Sequence, residues 1–301
     1  MGKILIAGGT GFVGNALVKY LVECGYKIHL LSRRAIQQKE ENIFYFKWNI
    51  EEGFIEDKAF EGITTIINLT GANIGEKKWT AKRKIELIES RTKSIDLLYN
   101  FVKDHNLKIE TFISSSAVGY YGAVTTEEIF TEESENGNDF LASICKKWEN
   151  AALQFEKLGV RTVILRKGVI FGKDGGMYKK LAPLAKYGIN VSLGSGKQYL
   201  AWIDLRDVVR LYSYILKHQE VHGVFNVVAS EHITMNYFSK IFLKSFYKKS
   251  ILPNPPSFII KLIFGELATM LLEGSRVNNK KLKSTGFQLQ FDTLENAFKS
   301  T

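Results

Sequence analysis

The amino-acid sequence predicts an α/β fold with a doubly wound parallel sheet, joined to a smaller helical region on the C-terminal side. In the first two-thirds of the chain, short apolar runs alternate with longer segments whose apolar residues recur at helical spacing. The first run, 3–8, is apolar at every position after Lys3, as is typical of a strand buried on both faces. Alternation of strands and helices favours right-handed crossovers, and therefore a parallel sheet.

Local patterns predict the elements of the first 105 residues. The helix at 12–24 has apolar residues at helical spacing and ends before Gly25. A long polar helix is expected from about Thr80 to His105, with Ile95 and Leu98 among its apolar positions. Between these helices, we expect strands at the runs KIHLLS (27–32), IFYFKW (43–48) and TTIINLT (64–70).

The same alternation continues to about residue 170 and then becomes less regular. We expect strands at 110–116 and 160–166, with a helix at 138–158 between them. Glycine-rich loops at 172–176 and 194–196 follow, and then a helix at 204–218, a strand at 223–228 and a helix at 234–247. The prolines at 253, 255 and 256 predict a linker before a helical tail at 257–301.

Composition excludes several classes of protein. The 301 residues are 45% apolar and 24% charged, which excludes a disordered, collagen-like or coiled-coil chain. Two cysteines cannot form a disulfide framework and suit a reducing compartment. The N-terminal apolar run is too short for a signal sequence, and no apolar stretch is long enough to span a membrane. We therefore expect a cytoplasmic protein without membrane contact.

The charged and histidine residues indicate no further site. The net charge of +10 favours anionic partners in general, but the basic clusters at 75–84 and 244–250 match no nucleic-acid-binding module. The histidines are too scattered for a metal site. The tail at 258–274 is apolar at helical spacing but interrupted by Lys261 and Glu266, so docking on the core is expected rather than membrane attachment.

A glycine-rich motif between the first strand and first helix predicts dinucleotide binding. Gly8, Gly11 and Gly14 in GGTGFVG (8–14) follow the spacing of a Rossmann fold. The first glycine allows a tight turn, the second lets the backbone approach a pyrophosphate, and the third lets the helix pack closely. The intervening residues expected at this cofactor site are Thr10, Phe12 and Val13. The alternative is a tight turn that binds no ligand.

The end of the second strand favours NADP(H) over NAD(H). An NAD site places an acidic residue there to bind the ribose 2′-hydroxyl, whereas this chain has Ser32, Arg33 and Arg34. A guanidinium can bind a 2′-phosphate through two hydrogen bonds. Arg33 is the better candidate because it lies nearer the strand. The alternative is that both arginines are solvated turn residues.

Motifs along almost the whole chain resemble those of an extended short-chain dehydrogenase/reductase of the NAD(P)-dependent epimerase/dehydratase type. The similarity is greatest to an atypical, epimerase-like subgroup with its own C-terminal domain. Its motifs are GGTGFVG (8–14), NLTGANIG (68–75), SSSAVGYYG (114–122), LRKGVIFGKDGG (165–176), GSGKQYLAWIDLRDVVR (194–210) and FGELATMLLEGSRVNNKKLKSTGF (264–287).

The resemblance implies further cofactor contacts and a domain plan. Leu69, Thr70 and Gly71 are implied at the nicotinamide-ribose side of the cleft, and Glu86, Arg91 and Ile170 are implied to line the same cleft. The alternative for Glu86 and Arg91 is an exposed position on a helix. The expected plan is an NAD(P)-binding domain at 1–250, with substrate-pocket segments mainly at 170–203 and 223–250, and a C-terminal helical segment at 251–301.

The usual catalytic pair of the family is missing. Ser116 matches the serine that hydrogen-bonds substrate, but the positions of the tyrosine and lysine of Tyr-x-x-x-Lys hold Leu141 and Cys145. The nearest phenols are Tyr120 and Tyr121, whose alternative role is packing over the sheet edge. Cys145 as an isolated helix cysteine is expected to be inert.

Two main hypotheses follow for function. The first is an NADP(H)-binding oxidoreductase or epimerase-like enzyme acting on a small molecule, such as a sugar nucleotide or another anionic carbonyl or hydroxyl compound. The second is a catalytically inactive, NADPH-responsive binding or regulatory protein. A dimeric NADP-dependent scaffold is a third interpretation, so a homodimer remains open. Fold analogy alone cannot identify the substrate.

Overall fold

The computed structural model describes residues 2–34, 41–250 and 252–299. The strands are β1 (Lys3–Ala7), β2 (Lys27–Ser32), β3 (Ile43–Asn49), β4 (Phe54–Ile55), β5 (Ile63–Asn68), β6 (Thr111–Ala117), β7 (Ile129–Phe130), β8 (Arg161–Lys167), β9 (Val169–Phe171), β10 (Tyr199–Leu200), β11 (Trp202–Asp204), β12 (Gly223–Val227), β13 (Ile233–Thr234) and β14 (Arg276–Val277). The helices are α1 (Phe12–Glu23), α2 (Ala81–Asp104), α3 (Phe140–Leu153), α4 (Gly176–Lys186), α5 (Leu205–Lys217), α6 (Met235–Ser245), α7 (Ser257–Phe264), α8 (Ala268–Leu272), α9 (Lys280–Ser284) and α10 (Leu294–Lys299).

Eight strands form one sheet in the order β12-β8-β6-β5-β1-β2-β3-β4. All neighbours are parallel except β3 and β4. The chain proceeds outward from β1 in both directions, so the strand order reverses there. In such a sheet, the crevice for a ligand lies beyond the carboxyl ends of the strands at the reversal. The predicted fold class, a Rossmann-type parallel sheet, is therefore confirmed.

Helices cover both faces of the sheet and separate two apolar cores. On one face, α1 and α5 bury Leu17, Leu21 and Leu211 against the sheet. On the other face, α2 and α3 bury residues such as Ile95 and Ala152. Because both faces are covered, β1 at the centre of the sheet is apolar at every position after Lys3, as its sequence predicts.

The carboxyl ends of three central strands lie side by side. In the register of the sheet, Ala7 of β1 pairs with Leu31 of β2 on one side and with Asn68 of β5 on the other. The loops that begin at Gly8, Arg33 and Leu69 consequently leave the sheet at the same edge. The fold thus brings together three segments that the sequence analysis assigned to one cofactor.

The second part of the chain contains more structure than its sequence indicates. Helix α4 follows the glycine-rich loop 172–176, in a stretch for which the sequence analysis predicts no element, because Gly175 and Gly176 at its start and Pro183 inside it mask the pattern. Short strand pairs connect distant segments: β9 with β11, β10 with β13, and β7 with β14. The tail that was expected to be helical therefore also contributes a strand.

The expected docking of the tail is found for only one face of α7. Ile260 is buried and Phe264 packs against the cluster that contains Trp79 and Leu267. The opposite face of α7 is exposed, with Phe258 at 71% and Leu262 at 81% of full exposure. Within the described residues, the structure contains no helix that is both long and apolar enough to cross a membrane.

Candidate cofactor and catalytic site

The glycine motif forms a tight turn with one open position. Gly8 has φ +80°, and a Cβ there would lie 2.8 Å from the carbonyl carbon of Leu69. A Cβ on Gly14 would overlap the carbonyl oxygen of Gly8, so α1 packs directly on the turn. A Cβ on Gly11 would meet only the oxygen of Gly8, at 3.5 Å. Gly8 and Gly14 therefore serve the fold, whereas Gly11 leaves its outer side open to a ligand.

The start of α1 suits an anion. Gly11 is its N-cap, and no side chain accepts a hydrogen bond from the first turn. By contrast, four other helices start with a side-chain cap, supplied by Thr80, Asp139, Asp204 and Thr234. Uncapped amides at a helix start, together with the helix dipole, favour a phosphate group. The open backbone at Gly11 and these amides fit the pyrophosphate of a dinucleotide.

The other residues of the motif have different surroundings. Thr10 is exposed and Val13 is half-buried. The ring of Phe12 packs against the glycine-rich loop after β9, where a Cβ on Gly172 would lie 2.9 Å from it. Ile170 in β9 is half-buried against the same core as Val13. The structure therefore places these residues around the N-terminus of α1.

The end of β2 displays two arginines at the surface. The buried Ser32 hydroxyl donates to the carbonyl of Arg34 (2.8 Å) and accepts from its N–H (3.2 Å), which fixes the turn. Both Arg33 and Arg34 are exposed. No acidic residue occurs among these three, so the turn presents positive charge beside the edge of β1 and β2.

The loop after β5 is supported by the side chain of Arg91, which reaches it from α2. The N–H of Leu69 donates to Ala7, and Thr70 donates through its N–H and hydroxyl to Asn68 Oδ1. Arg91 donates to the carbonyls of Leu87 (2.7 Å) and Ala72 (3.1 Å). A Cβ on Gly71 would lie 3.1 Å from the guanidinium carbon of Arg91, so Gly71 rests on that group.

The two charged residues predicted on α2 differ in environment. Arg91 is buried and lies 4.9 Å from the ring of Trp148, and burial lowers its pKa to about 10. No carboxylate of the described residues pairs with it. Glu86 is exposed and pairs with Arg83 at 2.7 Å, a hydrogen bond that lowers the pKa of Glu86. Arg91 is thus part of the support of the loop, whereas Glu86 lies on the outer surface of α2.

Ser116 belongs to a buried ionic network. Its hydroxyl donates to Glu149 Oε1 at 2.6 Å. Arg166 holds the same carboxylate through two hydrogen bonds, from Nε to Oε1 (2.9 Å) and from Nη2 to Oε2 (2.8 Å). Burial alone would lower the pKa of Arg166, but Glu149 raises it overall. The Ser116 hydroxyl proton is therefore already hydrogen-bonded to the ion pair that Glu149 of α3 forms with Arg166 of β8.

The same network engages the two neighbouring tyrosines. Arg166 Nη1 donates to the hydroxyl of Tyr121 (3.0 Å), which in turn donates to Asn226 Oδ1 (2.7 Å). Tyr121 is buried, and burial raises its pKa to about 12. Tyr120 is half-buried, and the guanidinium carbon of Arg166 lies 3.3 Å from the centre of its ring. Tyr121 therefore matches the packing alternative more closely than Tyr120 does.

Leu141 and Cys145 lie against Gly119, in the turn that follows β6. A Cβ on Gly119 would lie 3.4 Å from Leu141 Cβ and 3.6 Å from Cys145 Sγ. Both side chains are buried, and burial raises the pKa of Cys145 to about 12. At neutral pH this thiol is protonated, so it is a poor nucleophile.

Sequence reasoning did not find the charged members of this network. The sequence analysis assigns no role to Glu149, Arg166 or Asn226. An available signal was Arg166 itself, because a guanidinium at the end of the apolar run VIL (163–165) of a central strand requires a buried partner. The described residues contain no group of three or more His, Cys, Asp or Glu side chains that could hold a metal ion.

Comparison with known families and proteins gives matches along the whole chain. The NAD dependent epimerase/dehydratase family matches residues 4–228, and a domain of unknown function, DUF1731, matches 255–301. The epimerase family protein YfhF of Bacillus subtilis is 32% identical over 294 residues, which are 97% of this chain and 95% of the relative. An epimerase family protein of Mycobacterium leprae is 31% identical over 298 residues, 98% of this chain and 94% of that protein.

Solved structures show the same architecture. The human epimerase family protein SDR39U1 (isoform 2), crystallised with NADPH, is 28% identical with a TM-score of 0.86, covering 99% of this chain and 98% of that one. The UDP-glucose 4-epimerase of Thermus thermophilus in complex with NAD has a TM-score of 0.77 at 19% identity, covering 98% and 96%. The second likeness concerns the fold alone.

Proposed function

Because the chain belongs to the NAD dependent epimerase/dehydratase family, we propose that it binds NADP(H) and acts on a small carbonyl or hydroxyl compound as an oxidoreductase or epimerase-like enzyme. The observation that carries the cofactor assignment is the pairing of an open glycine turn with two exposed arginines at the end of β2. The NADPH in the human relative's structure supports the same choice.

Three loops of the described residues each bind a different part of the cofactor. The backbone of 8–14 binds the pyrophosphate, and Arg33 binds the 2′-phosphate. Leu69, Thr70 and Gly71, supported by Arg91, line the cleft together with Ile170. When bound, NADP(H) supplies reversible oxidation and reduction of a substrate carbon.

The substrate side of the proposal rests on the carboxyl ends of β6 and β8. Ser116 accepts a hydrogen bond from a substrate hydroxyl without losing its bond to Glu149, whereas donating to a carbonyl would break that bond. Tyr120 is the better proton donor of the two phenols, because the hydroxyl of Tyr121 is already bound to Asn226. The lysines of the cluster at 75–84 favour an anionic substrate, for which a sugar nucleotide is one candidate.

The first prediction concerns cofactor choice. NADPH is expected to bind at least about tenfold more tightly than NADH, roughly 1.4 kcal/mol. Arg33→Ala should remove most of this difference, because it deletes the group that binds the 2′-phosphate. Fluorescence titration of both cofactors measures it, with Arg34→Ala as a matched control that removes the same charge one residue later. Equal wild-type affinities for NADPH and NADH would overturn the assignment.

A second candidate function, a binding protein without turnover, is favoured by the environment of Ser116. The usual Tyr and Lys positions hold Leu141 and Cys145, and the Ser116 proton is held by Glu149. We therefore expect weak or no activity on common sugar nucleotides, with NADPH still bound. Assays of NADPH oxidation with small carbonyl compounds distinguish the two functions: turnover that Ser116→Ala abolishes supports the enzyme.

A double variant can restore the tyrosine and lysine that this chain lacks. The double variant Leu141→Tyr with Cys145→Lys should show carbonyl reductase activity above that of the wild type, because both positions lie against the turn that follows β6. NADPH titration of the same variant verifies that the cleft has kept its fold. Brisk wild-type epimerisation, unaffected by changes at Ser116, Tyr120 and Tyr121, would show that catalysis uses other residues.

A further inference from the structure

The exposed large apolar side chains are concentrated in one segment. More than half of those in the described part of the chain lie between 247 and 263. We call these six residues the apolar patch: Tyr247, Leu252, Phe258, Ile259, Leu262 and Ile263. Scattered apolar residues on a surface are ordinary, but a concentration of this kind marks an interaction surface.

Helix α7 and the residues just before it are anchored to the rest of the protein. In α7, Phe258 and Leu262 lie one turn apart, as do Ile259 and Ile263, so the four side chains share one face. The opposite face anchors the helix through Ile260 and Phe264. Before α7, the N–H of Gly194 donates to Pro255 (2.9 Å), and Asn254 donates to the carbonyl of Gly194 (3.1 Å).

The charged residues within the segment that carries the patch all have one sign. From Phe246 to Gly265 the sequence contains Lys248, Lys249 and Lys261 and no aspartate or glutamate. All three lysines are exposed. The first acidic residue that follows, Glu266, is paired with Lys84 at 2.6 Å. Apolar side chains bordered by lysines are typical of segments that lie at the surface of an anionic membrane.

We propose that this apolar patch and its lysines bind the surface of an anionic phospholipid bilayer. The apolar face of α7 would enter the boundary between headgroups and acyl chains, while the lysines contact lipid phosphates and Lys261 extends its apolar stem along the interface. This peripheral contact differs from the absence of membrane contact that the sequence predicts. That expectation placed the tail on the core, and the structure leaves one of its faces uncovered.

Charge argues against a second copy of the chain as the occupant. In a two-fold symmetric dimer, the same patch would face itself. The lysines of one patch would then lie against those of the other, with no acidic residue between 246 and 265 to compensate them. An anionic bilayer offers the complementary charge at every point of the contact.

Vesicle flotation with the full chain tests the proposal. Wild-type protein should partition at least about tenfold more strongly onto vesicles containing about a third phosphatidylglycerol than onto pure phosphatidylcholine, and added salt should reduce binding. Phe258→Ser with Leu262→Ser should lose at least about tenfold of this binding. Ile85→Ser is the matched control, because Ile85 is 56% exposed on α2, outside the patch.

A second pair of variants separates patch charge from overall charge. Lys248→Glu with Lys249→Glu should abolish binding to the anionic vesicles, whereas Lys146→Glu with Lys147→Glu, an exposed pair on α3, should not. Circular dichroism verifies that each variant is folded. Equal binding to both vesicle types, or equal losses in the two charge-reversed proteins, would overturn the proposal. So would light scattering that shows a dimer which Phe258→Ser with Leu262→Ser dissociates, without vesicle binding.

Discussion

Gly11→Val is expected to weaken NADPH binding at least about hundredfold, roughly 2.7 kcal/mol, while the protein keeps its fold. Gly11 has φ −79°, which valine adopts without strain, and a new Cβ would meet only the Gly8 oxygen at 3.5 Å. The branched side chain would instead occupy the outer side of the turn, where the pyrophosphate must approach the backbone.

Fluorescence titration measures the loss of affinity, and urea unfolding measures the stability of the same samples. Gly2→Val is the matched control, because a Cβ on Gly2 has no heavy atom within 4 Å and lies outside the turn. Gly14→Val provides the contrast, since its Cβ would overlap the Gly8 oxygen and should unfold the protein. A folded Gly11→Val protein that binds NADPH normally would place the cofactor elsewhere.

The sequence predicts the central sheet well because its strands are buried on both faces. The run KIHLLS coincides with β2, and the helix expected at 12–24 is found as Phe12–Glu23. The shorter strands could not be predicted. Pairs such as β7 with β14 contain two residues per strand, and their hydrogen bonds connect segments far apart in the chain. Such a contact leaves no periodic pattern of apolar residues in the local sequence.

For the candidate site, the sequence indicates positions but not partners. It places Ser116 at the end of a strand, but the carboxylate that accepts its hydrogen bond is 33 residues away, on α3. Arg166 stands out at the end of an apolar run, yet nothing local indicates which of many acidic residues neutralises it. Pairing across elements depends on the register of β6 and β8 and on the packing of α3, which only the folded structure supplies.

Arg166→Met is expected to destabilise the protein by about 3–5 kcal/mol, because it leaves the Glu149 carboxylate buried without its cation. Both groups are almost fully buried, at 3% and 5% exposure. The variant also removes a donor from the hydroxyl of Tyr121 and the cation above the ring of Tyr120. The free energy of unfolding in urea measures the effect.

Two further variants test whether the loss of stability comes from the unpaired Glu149 carboxylate. Lys93→Met breaks an exposed pair with Glu89 on α2 and should cost less than about 1 kcal/mol. Arg166→Met combined with Glu149→Leu removes both charges, so it should recover a substantial part of the loss. If Arg166→Met cost no more than Lys93→Met, the buried ion pair of Arg166 and Glu149 would contribute no more to the free energy of unfolding than an exposed pair does.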